Sequence, residues 1–137
     1  METGSLKIII EEGKTPSVEA ELTNGTIWMS KYFIARLFQC FYQKVDMNLR
    51  SIFKSQLLRE KDVSYTYSYS DKGIEKQIVY YNLEAIIFLS YRIGTIETQI
   101  FRQFVNTALR EHLQRKEAEK CSRLIGYYCK SQDYRLN

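Results

Sequence analysis

The spacing of apolar residues changes along the chain, and each spacing predicts a different element. The β-branched run at residues 6–10 and the alternation of apolar and acidic residues at 18–22 predict two strands. Asn24-Gly25 follows at once and favours a tight hairpin turn, because both positions tolerate positive φ. A return strand at 26–28 would complete an N-terminal β-meander.

The stretch from Trp28 to Phe53 carries apolar residues at helical spacing on both sides of a break near Cys40. Ser30 is placed to cap the first helix by accepting a hydrogen bond from its first turn. The apolar faces of the two helices hold Ile34, Leu37 and Phe38, and Val45, Leu49, Ile52 and Phe53. Two short helices with a tight break are typical of a helix-turn-helix, whose second helix enters the DNA major groove. Folds that never touch DNA contain the same pattern.

The opposite face of the second helix is polar. It carries Gln43, Lys44, Met47, Arg50, Ser51 and Lys54. Gln43 can pair with adenine and Arg50 with guanine, whereas Lys44 and Lys54 suit contacts to phosphate. Asp46 lies beside this face and would repel phosphate. We therefore expect the second helix to be the DNA-reading element.

A second hairpin follows the helix pair. Residues 63–69 alternate tyrosines with hydroxyl residues, Asp71-Lys72-Gly73 forms a turn, and 74–80 predict the return strand. A winged helix-turn-helix keeps its wing at this place, so Lys72 and Lys76 are candidate phosphate contacts. The tyrosine row suits stacking on bases, as in single-strand binders, or cross-strand pairing within the sheet.

Two helices complete the pattern. Asn82 is placed to cap an apolar helix that reaches about Arg92, and Gly94 ends it. Thr95 then begins a longer helix with a regular apolar stripe to Leu113 and a charged extension to residue 120. The pattern as a whole predicts an α+β, winged helix-turn-helix-like fold, with residues 1–120 as a single domain and 121–137 as an aromatic C-terminal tail.

Charge is unevenly distributed along the 137 residues, which carry a net charge of +4. Residues 30–61 hold seven Lys and Arg against two acidic residues, a local +5, whereas residues 1–25 hold five Glu against two Lys, a local −3. The positive charge therefore lies on the predicted helix pair, where phosphate contacts need it.

Several function classes lack their usual signals. Three cysteines without CxxC spacing do not indicate a disulfide framework, and His112, Cys121 and Cys129 are too loosely spaced to indicate a metal site. With one histidine, no glycine-rich loop and no nucleophile turn, we expect no enzyme activity and no cofactor. The longest apolar run, 83–93, is too short for a membrane span, so we expect a cytoplasmic protein.

An ordered series of motifs extends from about Ile8 to Leu113. The most specific are Tyr80-Tyr81-Asn82-Leu83-Glu84-Ala85-Ile86-Ile87, Tyr91-Arg92-Ile93, and Phe101-Arg102 with Phe104, after Asn24-Gly25, Trp28-Met29-Ser30, Ala35, Leu37-Phe38 and Ile52-Phe53. In these residues the chain resembles the virulence protein RhuM family of bacteria. The resemblance implies a DNA-binding module similar to the amino-terminal domains of phage antirepressors and of the ORF6N and BRO groups, from a family often found near mobile elements. Many members carry a second half, so the resemblance implies a short form or an excised amino-terminal domain.

Two functions remain open after these observations. The first is a DNA-binding transcriptional regulator that reads duplex DNA with the second helix. The second is a protein-interaction module, antirepressor-like or virulence-associated, that kept the fold; Phe41, Tyr42 and Asn48 stand where the family usually has Asp, a basic residue and His. We also expect a homodimer, formed through the tail tyrosines Tyr127 and Tyr128 or the outer half of the long helix, because dimers double the half-sites read.

Overall fold

The computed structural model describes the backbone of residues 2–131 and the side chains of residues 2–125. The elements in chain order are β1 (Ser5–Ile9), β2 (Ser17–Glu21), β3 (Met29–Ser30), α1 (Lys31–Phe38), α2 (Tyr42–Lys54), α3 (Glu60–Val63), β4 (Ser64–Asp71), β5 (Ile74–Tyr81), α4 (Leu83–Ser90) and α5 (Ile96–Ser131). The chain packs as two units, residues 1–104 and 105–137. The predicted α+β class is confirmed.

The N-terminal hairpin forms within one residue of its predicted position. β1 and β2 pair antiparallel, with Leu6 opposite Ala20 and Ile8 opposite Val18. Asn24 and Gly25 have φ values of +52° and +80°, and backbone hydrogen bonds of 2.8 and 3.1 Å between Thr23 and Thr26 close the turn. Asn24-Gly25 is thus a tight turn, as the sequence predicted.

The predicted return strand at 26–28 is wrong. Beyond the single bridge of Thr26 to Thr23, these residues form no ladder with β2. Their groups bond elsewhere: the Thr26 hydroxyl accepts from the Leu83 N–H at 3.1 Å, and the Trp28 N–H donates to the Thr3 carbonyl at 2.8 Å. Ile27 between them is fully buried. The segment therefore crosses the core, and the strand that follows, β3, joins a different sheet.

That second sheet has three antiparallel strands in the order β3-β5-β4. β4 and β5 pair over their whole length, with Tyr67 opposite Ile78, and Met29 of β3 pairs with Tyr81 at the base. Lys72 and Gly73 connect the strands with φ values of +52° and +79°, the geometry of a two-residue hairpin turn. The hairpin predicted at 63–80 is therefore present.

The helices begin at the predicted caps. The Ser30 hydroxyl accepts from the Phe33 N–H at 3.4 Å, and the Asn82 side chain accepts from the Ala85 N–H at 3.1 Å. Thr95 accepts from the N–H of Thr98 at 3.2 Å at the start of α5. These bonds satisfy amide groups that have no partner inside the helix. α5 does not end near residue 120 but continues to Ser131.

The core of residues 1–104 lies where α1, α2 and α4 meet the first turns of α5. Its fully buried large side chains include Ile27, Ile34, Phe38, Leu49, Ile52, Ile86, Leu89, Ile93 and Phe101. The rings of Phe38 and Phe101 are 5.6 Å apart, and the Thr95 hydroxyl donates to the Phe38 carbonyl at 2.8 Å. α4 contributes Ile86 and Leu89 to this core, so the buried helix that its apolar sequence predicted is present on one face, whereas Ile87 and Phe88 are half-buried and Glu84 is exposed.

The apolar stripe of α5 is buried over a short stretch. Phe101 lies in the core, whereas the side chains of Leu109 and Leu113 are exposed. No helix in the described part of the chain combines the length and the apolar character that a membrane crossing requires.

Gly4 is a position where alanine should destabilise the fold. Its φ is +71°, and an added Cβ would lie 2.6 Å from the Glu21 carbonyl oxygen. We expect Gly4→Ala to lower the free energy of unfolding by about 2–3 kcal/mol, because backbone strain and a steric clash add. Urea unfolding followed by circular dichroism measures this.

Gly13→Ala is the matched control. Its φ is +76°, but nothing lies within 4 Å of the added atom, so only the strain of about 1 kcal/mol remains. Equal losses for both variants would contradict the close approach at Gly4.

Candidate nucleic-acid interface

A three-residue break joins α1 and α2. Gln39 ends α1 in the left-handed conformation, with φ of +52°, and its side-chain amide donates to the Arg36 carbonyl at 2.7 Å. The Cys40 N–H donates to the Ala35 carbonyl at 3.0 Å. Phe41 then precedes α2 in extended conformation. The break is therefore fixed by hydrogen bonds and presents α2 at a defined angle to α1.

α2 has one buried face and one exposed face. Val45, Leu49 and Ile52 are buried, and Phe53 stacks on Tyr81 with ring centroids 6.2 Å apart. The opposite face exposes all six predicted residues, Gln43, Lys44, Met47, Arg50, Ser51 and Lys54. Helical periodicity alone brings these residues together, and for that reason the sequence could predict them.

Asp46 joins this exposed face to α1. Its carboxylate receives Lys31 Nζ at 2.6 Å and Arg50 Nε at 3.0 Å. Two cations thus offset the carboxylate that the sequence placed beside the face as a source of repulsion. Arg50 stays 79% exposed, so the outer nitrogens of its guanidinium remain accessible to a ligand.

The two partners shift each other's protonation. The hydrogen bond from Lys31 lowers the pKa of the Asp46 carboxyl, against partial burial and with help from the charges of Lys31 and Arg50. Partial burial acts to lower the pKa of Lys31, but the hydrogen bond to Asp46 and the charges of Tyr81, Asp46 and Tyr42 outweigh it and raise the pKa. Both groups are therefore charged at neutral pH.

Arg92 is a neighbour of the α2 face that sequence reasoning did not place there. Its Nε donates to Asn48 Oδ1 at 3.3 Å, and its Nη2 donates to the Ser51 hydroxyl at 2.9 Å. Arg92 is itself exposed, so it adds a cation to the edge of this surface. Partners more than forty positions apart leave no periodic signal in one sequence.

Lys72 and Lys76 lie at the far end of the second hairpin. Tyr81, at the base, stacks on α2, and the strand from Tyr81 to Ile74 spans about 23 Å at about 3.3 Å per residue. Lys72 occupies the turn and is exposed, whereas Lys76 pairs with Asp71 at 2.9 Å. Lys72 and Lys76 therefore form a second basic position, separate from the α2 face, at the tip of the β4–β5 hairpin.

An exposed aromatic cluster lies at the break between α1 and α2. It consists of Tyr32, Phe33, Phe41 and Tyr42, and Phe41 is 85% exposed. Three of its members line a shallow pocket together with Arg36, whose guanidinium lies 5.8 Å from the Tyr32 ring centroid. The predicted tail residues cannot be assigned to this cluster, because the side chains of Tyr127 and Tyr128 lie outside the described residues.

No family model matches the chain, and neither a curated protein nor a solved structure gives a significant match. Among the described residues, no three His, Cys, Asp or Glu side chains lie close enough to hold a metal ion; the side chain of Cys129 is outside that set.

Asp46→Asn should lower the free energy of unfolding by about 1–2 kcal/mol at pH 7, because a charge-assisted hydrogen bond between half-buried groups is lost. The folded-state pKa of Asp46 is lowered, so its stabilisation is complete above the unfolded value of about 3.9 and is lost as pH falls through the folded value. The gap between wild type and variant should therefore close below about pH 4 in urea titrations.

Asp62→Asn is the matched control. Asp62 is 63% exposed and lies 3.9 Å from Arg59, so its loss should cost less than about 0.5 kcal/mol. A gap for Asp46→Asn that stays constant down to pH 3 would contradict the assigned ion pair.

Proposed function

We propose that this protein binds duplex DNA as a winged helix-turn-helix, with α1 and α2 as the helix pair and β4–β5 as the wing. The observation that carries the proposal is the exposed α2 face, whose polar side chains lie opposite the buried Val45, Leu49 and Ile52. The resemblance to the RhuM family supports the same class. Within that class we propose a transcriptional regulator of bacterial or mobile-element origin.

Each side chain on the face has a role that its chemistry defines. Gln43 suits adenine, and Arg50, held by Asp46 through Nε, can direct its outer nitrogens at guanine. Met47, exposed between them, can contact a thymine methyl group. Lys44 and Lys54 would hold phosphates, and Lys72 at the wing tip would reach a more distant part of the backbone.

The first test removes the cations of α2 together. Lys44→Ala, Arg50→Ala and Lys54→Ala combined should weaken binding to duplex DNA roughly a hundredfold or more at moderate salt, because three cationic contacts are lost. Electrophoretic retention of random and genomic duplexes at two salt concentrations measures this.

The control removes the same charge elsewhere, with Lys7→Ala, Lys14→Ala and Arg110→Ala combined. All three residues are exposed, so this variant separates local contacts from net charge. If both triple variants lose affinity equally, or neither does, α2 is not the reading element.

Single substitutions should separate phosphate contacts from base contacts. Lys54→Ala should weaken all sequences alike and reduce the salt dependence, whereas Gln43→Ala should change the preference among sequences. Binding of each variant to a panel of selected duplexes at several salt concentrations distinguishes the two effects. A change of preference caused by Lys54→Ala alone would contradict these assignments.

A protein-interaction module is the second candidate, and the aromatic cluster favours it. An exposed phenylalanine that lines one pocket with two tyrosine side chains is typical of a surface that a protein partner covers. If the α2 triple variant keeps full duplex affinity, the aromatic cluster becomes the leading candidate surface.

A further inference from the structure

β4 is a long strand with a free edge. It lies at the end of the β3-β5-β4 sheet, and among the described strands it pairs with β5 alone. Residues 65–68 in its middle are exposed. A free edge of eight residues offers unpaired backbone groups to another strand, and proteins usually block such an edge with charges, proline or a bulge.

The turn determines which backbone groups of β4 point outward. Asp71 and Ile74 close a two-residue loop, and such a closing pair exchanges hydrogen bonds. Hydrogen-bonded pairs then alternate along the ladder, so Tyr65, Tyr67 and Tyr69 direct their backbone groups toward β5. The free edge presents the backbone groups of Ser64, Thr66, Ser68 and Ser70.

The edge sequence is self-complementary. Residues 64–70 read Ser-Tyr-Thr-Tyr-Ser-Tyr-Ser, a pattern that is symmetric in residue class about Tyr67. A second β4, antiparallel and centred on Tyr67, would place Ser64 opposite Ser70 and Thr66 opposite Ser68. Tyr65 would lie opposite Tyr69, so hydroxyls meet hydroxyls on one face and aromatic rings meet rings on the other.

The outward backbone groups fit this register. In this register the opposed residues are Ser64 with Ser70 and Thr66 with Ser68. Both members of each pair direct their backbone N–H and C=O groups outward. Two copies would therefore exchange about eight hydrogen bonds, two for each of four such pairs. Tyr67 at the symmetry axis would form a non-hydrogen-bonded pair with its copy, where side chains approach most closely.

Charge is compatible with the same arrangement. No residue from 64 to 70 is charged, so nothing along the ladder repels a copy. Asp71, the charged residue of β4, pairs with Lys76 of the same hairpin. β5, in contrast, carries Glu75 and Lys76, the kind of charged residues that protect an edge.

We infer that a second copy of this chain pairs with β4, forming a two-fold dimer whose sheet continues across the two hairpins in the register centred on Tyr67. Such an isologous interface uses the same patch on both copies. Its size is at the low end for protein interfaces, so association should depend on concentration in the micromolar range. The inference is independent of the proposed DNA binding.

Ser68 and Gln77 provide a matched pair of variants. They lie opposite each other in the hairpin, and each directs its N–H away from the ladder, toward opposite edges. Proline at either site thus removes no bond within the hairpin. Ser68→Pro should raise the dimer dissociation constant roughly tenfold or more, and Gln77→Pro should leave it unchanged, as measured by sedimentation equilibrium.

Cysteine cross-linking tests the register. Residues 67 of the two copies should have Cα atoms about 4.5 Å apart, within disulfide reach. Tyr67→Cys should form a covalent dimer with oxidised glutathione, whereas Tyr65→Cys should not exceed the level given by the natural cysteines. Circular dichroism confirms that each variant is folded.

Three results would overturn the inference. The first is a monomer at several hundred micromolar with no cross-link at residue 67. The second is a dimer whose dissociation constant Ser68→Pro leaves unchanged. The third is a dimer that Leu109→Glu with Leu113→Glu abolishes while Ser68→Pro does not, since that result assigns the interface to the exposed face of α5.

Discussion

α4 imposes the strongest constraint on residues 1–104, because it is the most apolar helix and the face formed by Ala85, Ile86, Leu89 and Ser90 must be covered. Ala85, Ile86 and Leu89 are fully buried. Its end groups also need partners: Asn82 caps the first turn, and the Arg102 guanidinium donates to the Ser90 carbonyl at the last turn. α2, α3 and the N-terminal segment all contact this helix, and each therefore turns its apolar face inward and its polar face to solvent.

Local signals in the sequence sufficed for the features that depend on few residues. The Asn24-Gly25 turn, the caps at Ser30, Asn82 and Thr95, and the two faces of α2 all follow from short-range geometry. The predicted return strand at 26–28 is absent because Ile27 is buried in the core, and the residues on either side of it form hydrogen bonds with distant parts of the chain. Tertiary contacts overrode a local preference there.

In the candidate site, too, some features follow from local sequence and others depend on tertiary contacts. Periodicity placed Gln43, Lys44, Met47, Arg50 and Lys54 on one face, but it could not show that Lys31 would neutralise Asp46. Nor could it place Arg92, which reaches Asn48 and Ser51 from another part of the chain. Side chains that belong to one helix are predictable from spacing, whereas side chains brought in by packing are known only from the structure.

Two hydrogen bonds within the core each join residues 57 positions apart: Thr26 with Leu83 at the start of α4, and Phe38 at the end of α1 with Thr95 at the start of α5. During synthesis, therefore, α1 and α2 leave the ribosome long before the residues that cover them. The helix pair has an uncovered apolar face until Phe101 has been added. Residues 1–104 can therefore complete their core only after Phe101 has been synthesised, and until then the emerging chain exposes apolar surface.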